Sequence, residues 1–115
     1  KKEQEKANTI SSAWNPAYYK NAPSGSALFT VAIGDKLAAQ IYDSVGAFND
    51  SPREAVAAIK NCRTKTQVSW IADRFNLKYK NDMFNYLSYH FDTSEQMANL
   101  VSMINYVDSL PDYKI

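Results

Sequence analysis

Chemistry in this chain would have to come from very few side chains. Its one histidine, His90, stands between Tyr89 and Phe91, and its one cysteine, Cys62, follows Asn61. A histidine working as a general base needs an orienting partner, and a nucleophilic thiol needs a neighbour that lowers its pKa. Neither has one nearby in sequence, so His90 reads as a packed histidine near a helix end and Cys62 as a small core residue. The carboxylate pairs Glu3 with Glu5 and Asp43 with Asp50 fall in no catalytic pattern. There is no phosphate-binding loop, no Gly-x-Gly-x-x-Gly, no His-Glu-x-x-His and no Cys/His cluster with metal-ligand spacing. A single cysteine closes no internal disulfide. The sequence therefore points away from an enzyme, with no catalytic residue, no metal ligand and no cofactor.

The aromatic side chains are the stronger lead. Eight tyrosines, five phenylalanines and two tryptophans are many for 115 residues. A tyrosine combines apolar area with a polar tip and suits partly wet contacts between proteins. The segment Trp14-Asn15-Pro16-Ala17-Tyr18-Tyr19 gathers four candidate contact residues, Trp14, Pro16, Tyr18 and Tyr19. Asn15 before a proline favours extended backbone, and Ala22-Pro23-Ser24-Gly25 reads as a turn. Residues 1–35 are thus expected to form an extended aromatic arm with anchors for a partner. The competing use is internal, since a small helical body gains from extra apolar cover.

Five helices are expected behind that arm, in a body spanning 36–115. Ile33, Leu37, Ala38, Ile41, Tyr42 and Val45 mark one face of the first, which should stop at Gly46. Ser51-Pro52-Arg53-Glu54, Thr64-Lys65-Thr66-Gln67 and Thr93-Ser94-Glu95-Gln96 each have the form of a capping box, and Pro52 suits the first helical position. The second helix offers Val56, Ile59 and Cys62 to the core, and the third Val68, Ile71, Ala72 and Phe75. Trp70 lies off that stripe, where it either meets the arm or stays half exposed. Asn81 or Asp82 caps a fourth helix presenting Met83, Phe84, Leu87 and Phe91. The fifth turns Met97, Leu100, Val101, Ile104 and Val107 inward and ends before Pro111. No stretch alternates with period two. The expected fold is all-α, a compact bundle of five short helices.

Charge excludes some partners. The formal net charge is +1, and from Lys36 onward basic and acidic residues cancel. A nucleic-acid binder needs clustered cations for phosphate, and none occurs. No apolar run reaches the length of a membrane span. Lys1-Lys2-Glu3-Gln4-Glu5-Lys6 is a charged segment that could flank a membrane helix upstream of Lys1, or simply be a solvated end. One DNA-binding motif also fits in outline. The stretch 66–77 resembles the first helix of a helix-turn-helix, with Ala72 at the small packing position and a recognition helix over 81–91. That second helix contains no Lys or Arg, which argues against it.

The joints Gly46-Ala47-Phe48-Asn49-Asp50 and Arg63-Thr64-Lys65-Thr66-Gln67, with Glu54 to Ile59, Ile71, Phe75, Tyr79, Asp82, Met83 and Leu87, resemble a single annexin-type repeat over about residues 36–111. The Arg-Thr-Lys-x-Gln joint is the most specific part. That resemblance implies five short helices and a membrane-surface, calcium-binding function. Annexin calcium loops read Gly-x-Gly-Thr and use a distant carboxylate, whereas here Phe48 takes the second glycine position and His90 falls near the carboxylate position. Loss of the calcium site is therefore expected. Divergent single repeats of this kind also resemble parts of bacterial and bacteriophage structural proteins. On that resemblance the chain is expected to be a non-catalytic structural or protein-interaction module, in a virion or at a membrane-associated cell surface, with other proteins of a larger assembly as partners.

Overall fold

Helix ends expose unpaired amide hydrogens, and in this chain each helix start finds an oxygen acceptor for at least one of them. The structure, a computed structural model, describes residues 10–45 and 51–114. Its helices are α1 (Val31–Asp43), α2 (Pro52–Ile59), α3 (Lys65–Tyr79), α4 (Met83–His90) and α5 (Ser94–Asp108), preceded by 3-10 turns at Ser12–Trp14 and Tyr18–Asn21. No strand occurs among the described residues, and the fold is all-α. The Cα radius of gyration is 13.5 Å, close to the roughly 13 Å of a well-packed domain of this length.

The three expected capping boxes meet different fates. Thr93 forms a complete one: its side chain accepts from the Gln96 amide, and the Gln96 side chain accepts from the Thr93 amide. Thr64 accepts from the Gln67 amide at 3.1 Å, but the Gln67 side chain reaches one residue further, to the Arg63 amide at 2.6 Å. Ser51 makes no side-chain cap at all; its carbonyl takes the Glu54 amide, and Pro52 supplies the rest of the start signal. Asp82, rather than Asn81, caps α4 by accepting from the Asn85 amide.

α3 is the hub. It packs against α1, both 3-10 turns, α4 and α5, while α2 fits between α1 and α5. Val68, Ile71, Ala72 and Phe75 are fully buried on it, as their spacing predicts. Thr66, Gln67 and Ser69 are buried as well, so its first half is enclosed on nearly every side. The chain's C-terminal segment closes over its start: the Lys65 and Thr66 amides donate to the carbonyls of Pro111 and Asp112. The Lys65 ammonium reaches the Leu110 carbonyl. Carbonyls of a distant segment thus satisfy donors that a helix cannot satisfy itself. At the far end, α3 stops at Lys80, whose φ of 55° puts a non-glycine residue in the left-handed region.

Several expected faces are turned. α1 buries Gly34, Leu37, Ala38 and Ile41, whereas Ile33 and Tyr42 are exposed. Gly34 faces inward because Trp70 and Arg74 of α3 lie over it; a Cβ there would sit 3.2 Å from both Arg74 Cγ and Trp70 Nε1. Asp35, next along, holds Arg74 at 2.8 Å. α2 buries Ala55, Ala58 and Ile59 together with Cys62, and Val56 is only partly covered. α5 buries Gln96, Met103 and Val107 fully or nearly so, half-covers Leu100 and Ile104, and leaves Met97 and Val101 in solvent. Its inward face is rotated by most of a quarter turn from the expected one. Gln96, whose side chain accepts from the Asp92 and Thr93 amides, lies on that buried side.

The N-terminal segment differs most from expectation. Residues 11–21 are two tight turns rather than an extended run, and α1 begins at Val31, so a boundary at 35/36 would cut a helix. Trp14 is 3% exposed and belongs to the core, tilted against Phe84 with ring centroids 5.1 Å apart. Trp14→Ala should therefore cost about 3–5 kcal/mol, as expected for a buried tryptophan. Urea unfolding checks it, and a loss below about 1 kcal/mol would show that the segment lies on the body without stabilising it.

Candidate interaction surface

Ser69 builds the first part of the surface. Its buried hydroxyl donates to the Asn15 carbonyl at 2.7 Å and accepts from the Tyr19 amide at 2.8 Å. These bonds set the second 3-10 turn on α3 and fix two tyrosines. The Tyr19 hydroxyl bonds Asp73 at 3.1 Å, with its ring edge-on to Trp70 at 5.2 Å. Trp70 therefore meets the N-terminal segment. The Tyr18 hydroxyl donates to Asp112 at 2.7 Å, linking the second 3-10 turn to the segment after α5. Of the four expected contact residues, Trp14 lies in the core, while Pro16, Tyr18 and Tyr19 are half-buried at its edge.

A second aromatic group, drawn from three helices, runs across the opposite side of α3. Tyr42 stacks flat on Tyr79 at 3.9 Å and on Tyr86 at 5.1 Å. Lys78 closes the Tyr79 end at 5.7 Å, a cation–π contact. At the other end His90 tilts against Tyr86 at 4.5 Å, and Tyr89 stands perpendicular to His90 at 5.0 Å. The Tyr86 hydroxyl donates to the Tyr42 carbonyl at 2.9 Å, pinning the middle of the row. Tyr42 falls on the apolar face expected for α1. No spacing within one helix reveals a column built from three.

The groups that could do chemistry are spread apart. Burial pushes the Cys62 thiol up to about 12, which holds it protonated and unreactive at neutral pH. His90 has aromatic rings as its neighbours. Among the described residues no three His, Cys, Asp or Glu side chains converge as a metal site would require. Asp35 is bound to Arg74, whose hydrogen bond holds its carboxyl below the usual range. The loop with Phe48 and Asp50, the C′ position at Gly46, and the Glu3–Glu5 pair lie outside the described residues.

Two apolar patches complete the surface. Leu28, Val31 and Ile33 are exposed around the start of α1, and Met97 and Val101 show more than half their area on α5. Comparison of the chain with protein-family models, with curated proteins and with solved structures gives no match.

The tyrosines give a measurable signature. Burial, and for Tyr18 the bond to Asp112, raises Tyr18 and Tyr86 to about 12 from an ordinary value of 10. Burial also raises Tyr19 and Tyr79. The fold favours the neutral phenol, so this stabilisation is complete below pH 10 and is lost as pH rises through 12. Tyrosinate absorbance should therefore rise later in the native protein than in urea, with Tyr18→Phe and Tyr86→Phe each removing one late ring. Superimposable native and denatured curves would contradict the arrangement.

Proposed function

We propose that this chain is a non-catalytic interaction module, an annexin-repeat-like helical unit that takes its place among other proteins of a larger assembly such as a virion or a cell surface. The observation that carries this reading is the outer face of α5. Met97 and Val101 lie four residues apart, on one side of the helix, at 54% and 53% exposure. No charged residue occurs between Glu95 and Asp108. Exposed apolar side chains scattered singly are ordinary, but paired ones on an uncharged helix face suit a protein contact. The buried side of α5 is already occupied by α2, so this face serves nothing within the described fold.

Other features of the surface fit the same reading. The N-terminal turns are pinned to α3, so the half-buried Pro16, Tyr18 and Tyr19 form a fixed edge that a partner could meet without ordering it first. No helix among the described residues is long and apolar enough to cross a membrane. α4, which would be the recognition helix of a DNA-binding motif, presents Asn85, Ser88 and Tyr89 outward and has no cation for phosphate.

The test places charge on α5. Met97→Glu with Val101→Glu should leave the thermal midpoint within about 3 °C, because both sites are exposed. The same variant should fail to co-sediment with the native assembly in extracts of the source. Undiminished incorporation of the folded double variant would contradict the proposal.

A further inference from the structure

α4 carries a face with no role inside the molecule. Asn81, Asn85, Ser88 and Tyr89, with Tyr86 and His90 behind them, line an open groove of about 530 Å³. Tyr89 is the most exposed large apolar side chain described, at 78%. Asn85 and Tyr89, four residues apart, share one side of the helix, and Asn81 joins them from just ahead of the Asp82 cap. Among the described residues, no hydrogen bond engages the side chains of Asn81, Asn85 or Ser88. Nor does any Asp, Glu, Lys or Arg fall between Asp82 and Asp92.

An exposed tyrosine is ordinarily free to turn. Tyr89 is backed instead by a fixed series of rings: it stands perpendicular to His90, which leans on Tyr86, which stacks on Tyr42 and is hydrogen-bonded to the Tyr42 carbonyl. The exposed ring thus rests edge-on against a packed base of rings, beside two amides and a hydroxyl that make no hydrogen bond among the described residues.

The chemistry of the groove selects its ligand. An anion would find no cation there. An apolar peptide would strip two amides of water without replacing their hydrogen bonds, at a cost of roughly 1–3 kcal/mol each. A neutral sugar meets both requirements: its C–H face covers an aromatic ring, and its hydroxyls each give and take a hydrogen bond, as an asparagine amide does. We propose that the outer face of α4 is a binding site for a neutral saccharide, one ring stacked on Tyr89 and its hydroxyls paired with Asn81, Asn85 and Ser88. This goes beyond the protein contact assigned to α5 and is independent of it, because the two faces share no residue.

The experiment is an amide NMR titration of the full chain with cellohexaose, maltohexaose and chitohexaose into the millimolar range. At least one should shift the Asn81, Asn85, Ser88 and Tyr89 signals saturably. Tyr89→Ala should weaken that binding about tenfold, the value of one lost ring contact. Tyr89→Phe, which keeps the ring, should stay within about twofold. Both substitutions fall on an exposed side chain, and an unchanged circular dichroism spectrum verifies the fold. The proposal is overturned by no response to any of the three, by shifts that Tyr89→Ala leaves intact, or by a Tyr89-dependent polypeptide contact with no saccharide response. None of these outcomes alters the co-sedimentation expected of the α5 variant.

Discussion

The hydroxyl of Ser69 is fully buried, and it is spent twice, on the Asn15 carbonyl and on the Tyr19 amide. Those backbone groups belong to a segment fifty or more positions earlier, which on its own would form only two 3-10 turns. Short 3-10 pieces have poor hydrogen-bond geometry and little independent stability. Set on α3, the same turns deliver Trp14 into the core against Phe84 and Tyr19 against Trp70. A hydroxyl buried this deeply would cost free energy without partners, so the bonds also fix where the segment can lie.

The segments around residues 15–19 and 111–112 meet at α3 for related reasons. Its first amides have no acceptor within the helix, and the carbonyls of Pro111 and Asp112 supply one. Asp112 then accepts the Tyr18 hydroxyl, and the Lys114 carbonyl takes the Ala27 amide. These two described segments are thus tied to one helix and to each other. The packing also explains Gly34: Trp70 and Arg74 cross α1 where any side chain would crowd them. Closing the body in this way leaves outward faces on α4 and α5 without a partner among the described residues, beside the exposed Leu28, Val31 and Ile33 at the start of α1.

Much of this was legible in the sequence, and the failures have physical causes. α3 follows its apolar spacing, and Thr93 with Gln96 forms the capping box its pattern spells out. Trp70 was read as off the stripe, and it meets the N-terminal segment. Periodicity misled where a helix had two apolar stripes. On α5 the expected face through Met97, Val101 and Val107 and the observed one through Gln96, Met103 and Val107 share Val107, and the apolar spacing alone does not separate them. The placement of Trp14 and the column joining Tyr42, Tyr79 and Tyr86 depend on contacts between distant elements. No local pattern encodes those.

The Ser69 bonds make the N-terminal turns part of the same cooperative unit as α3. Amide hydrogen exchange of the native protein tests this directly, because the Tyr19 amide reports the Ser69 bond itself. If the segment is part of the core, Tyr19 exchanges only when the whole domain opens, at the same free energy as the amides of Ile71 and Phe75 in mid-α3. If Tyr19 exchanges orders of magnitude faster while α3 remains protected, the segment opens on its own and Ser69 does not organise the fold.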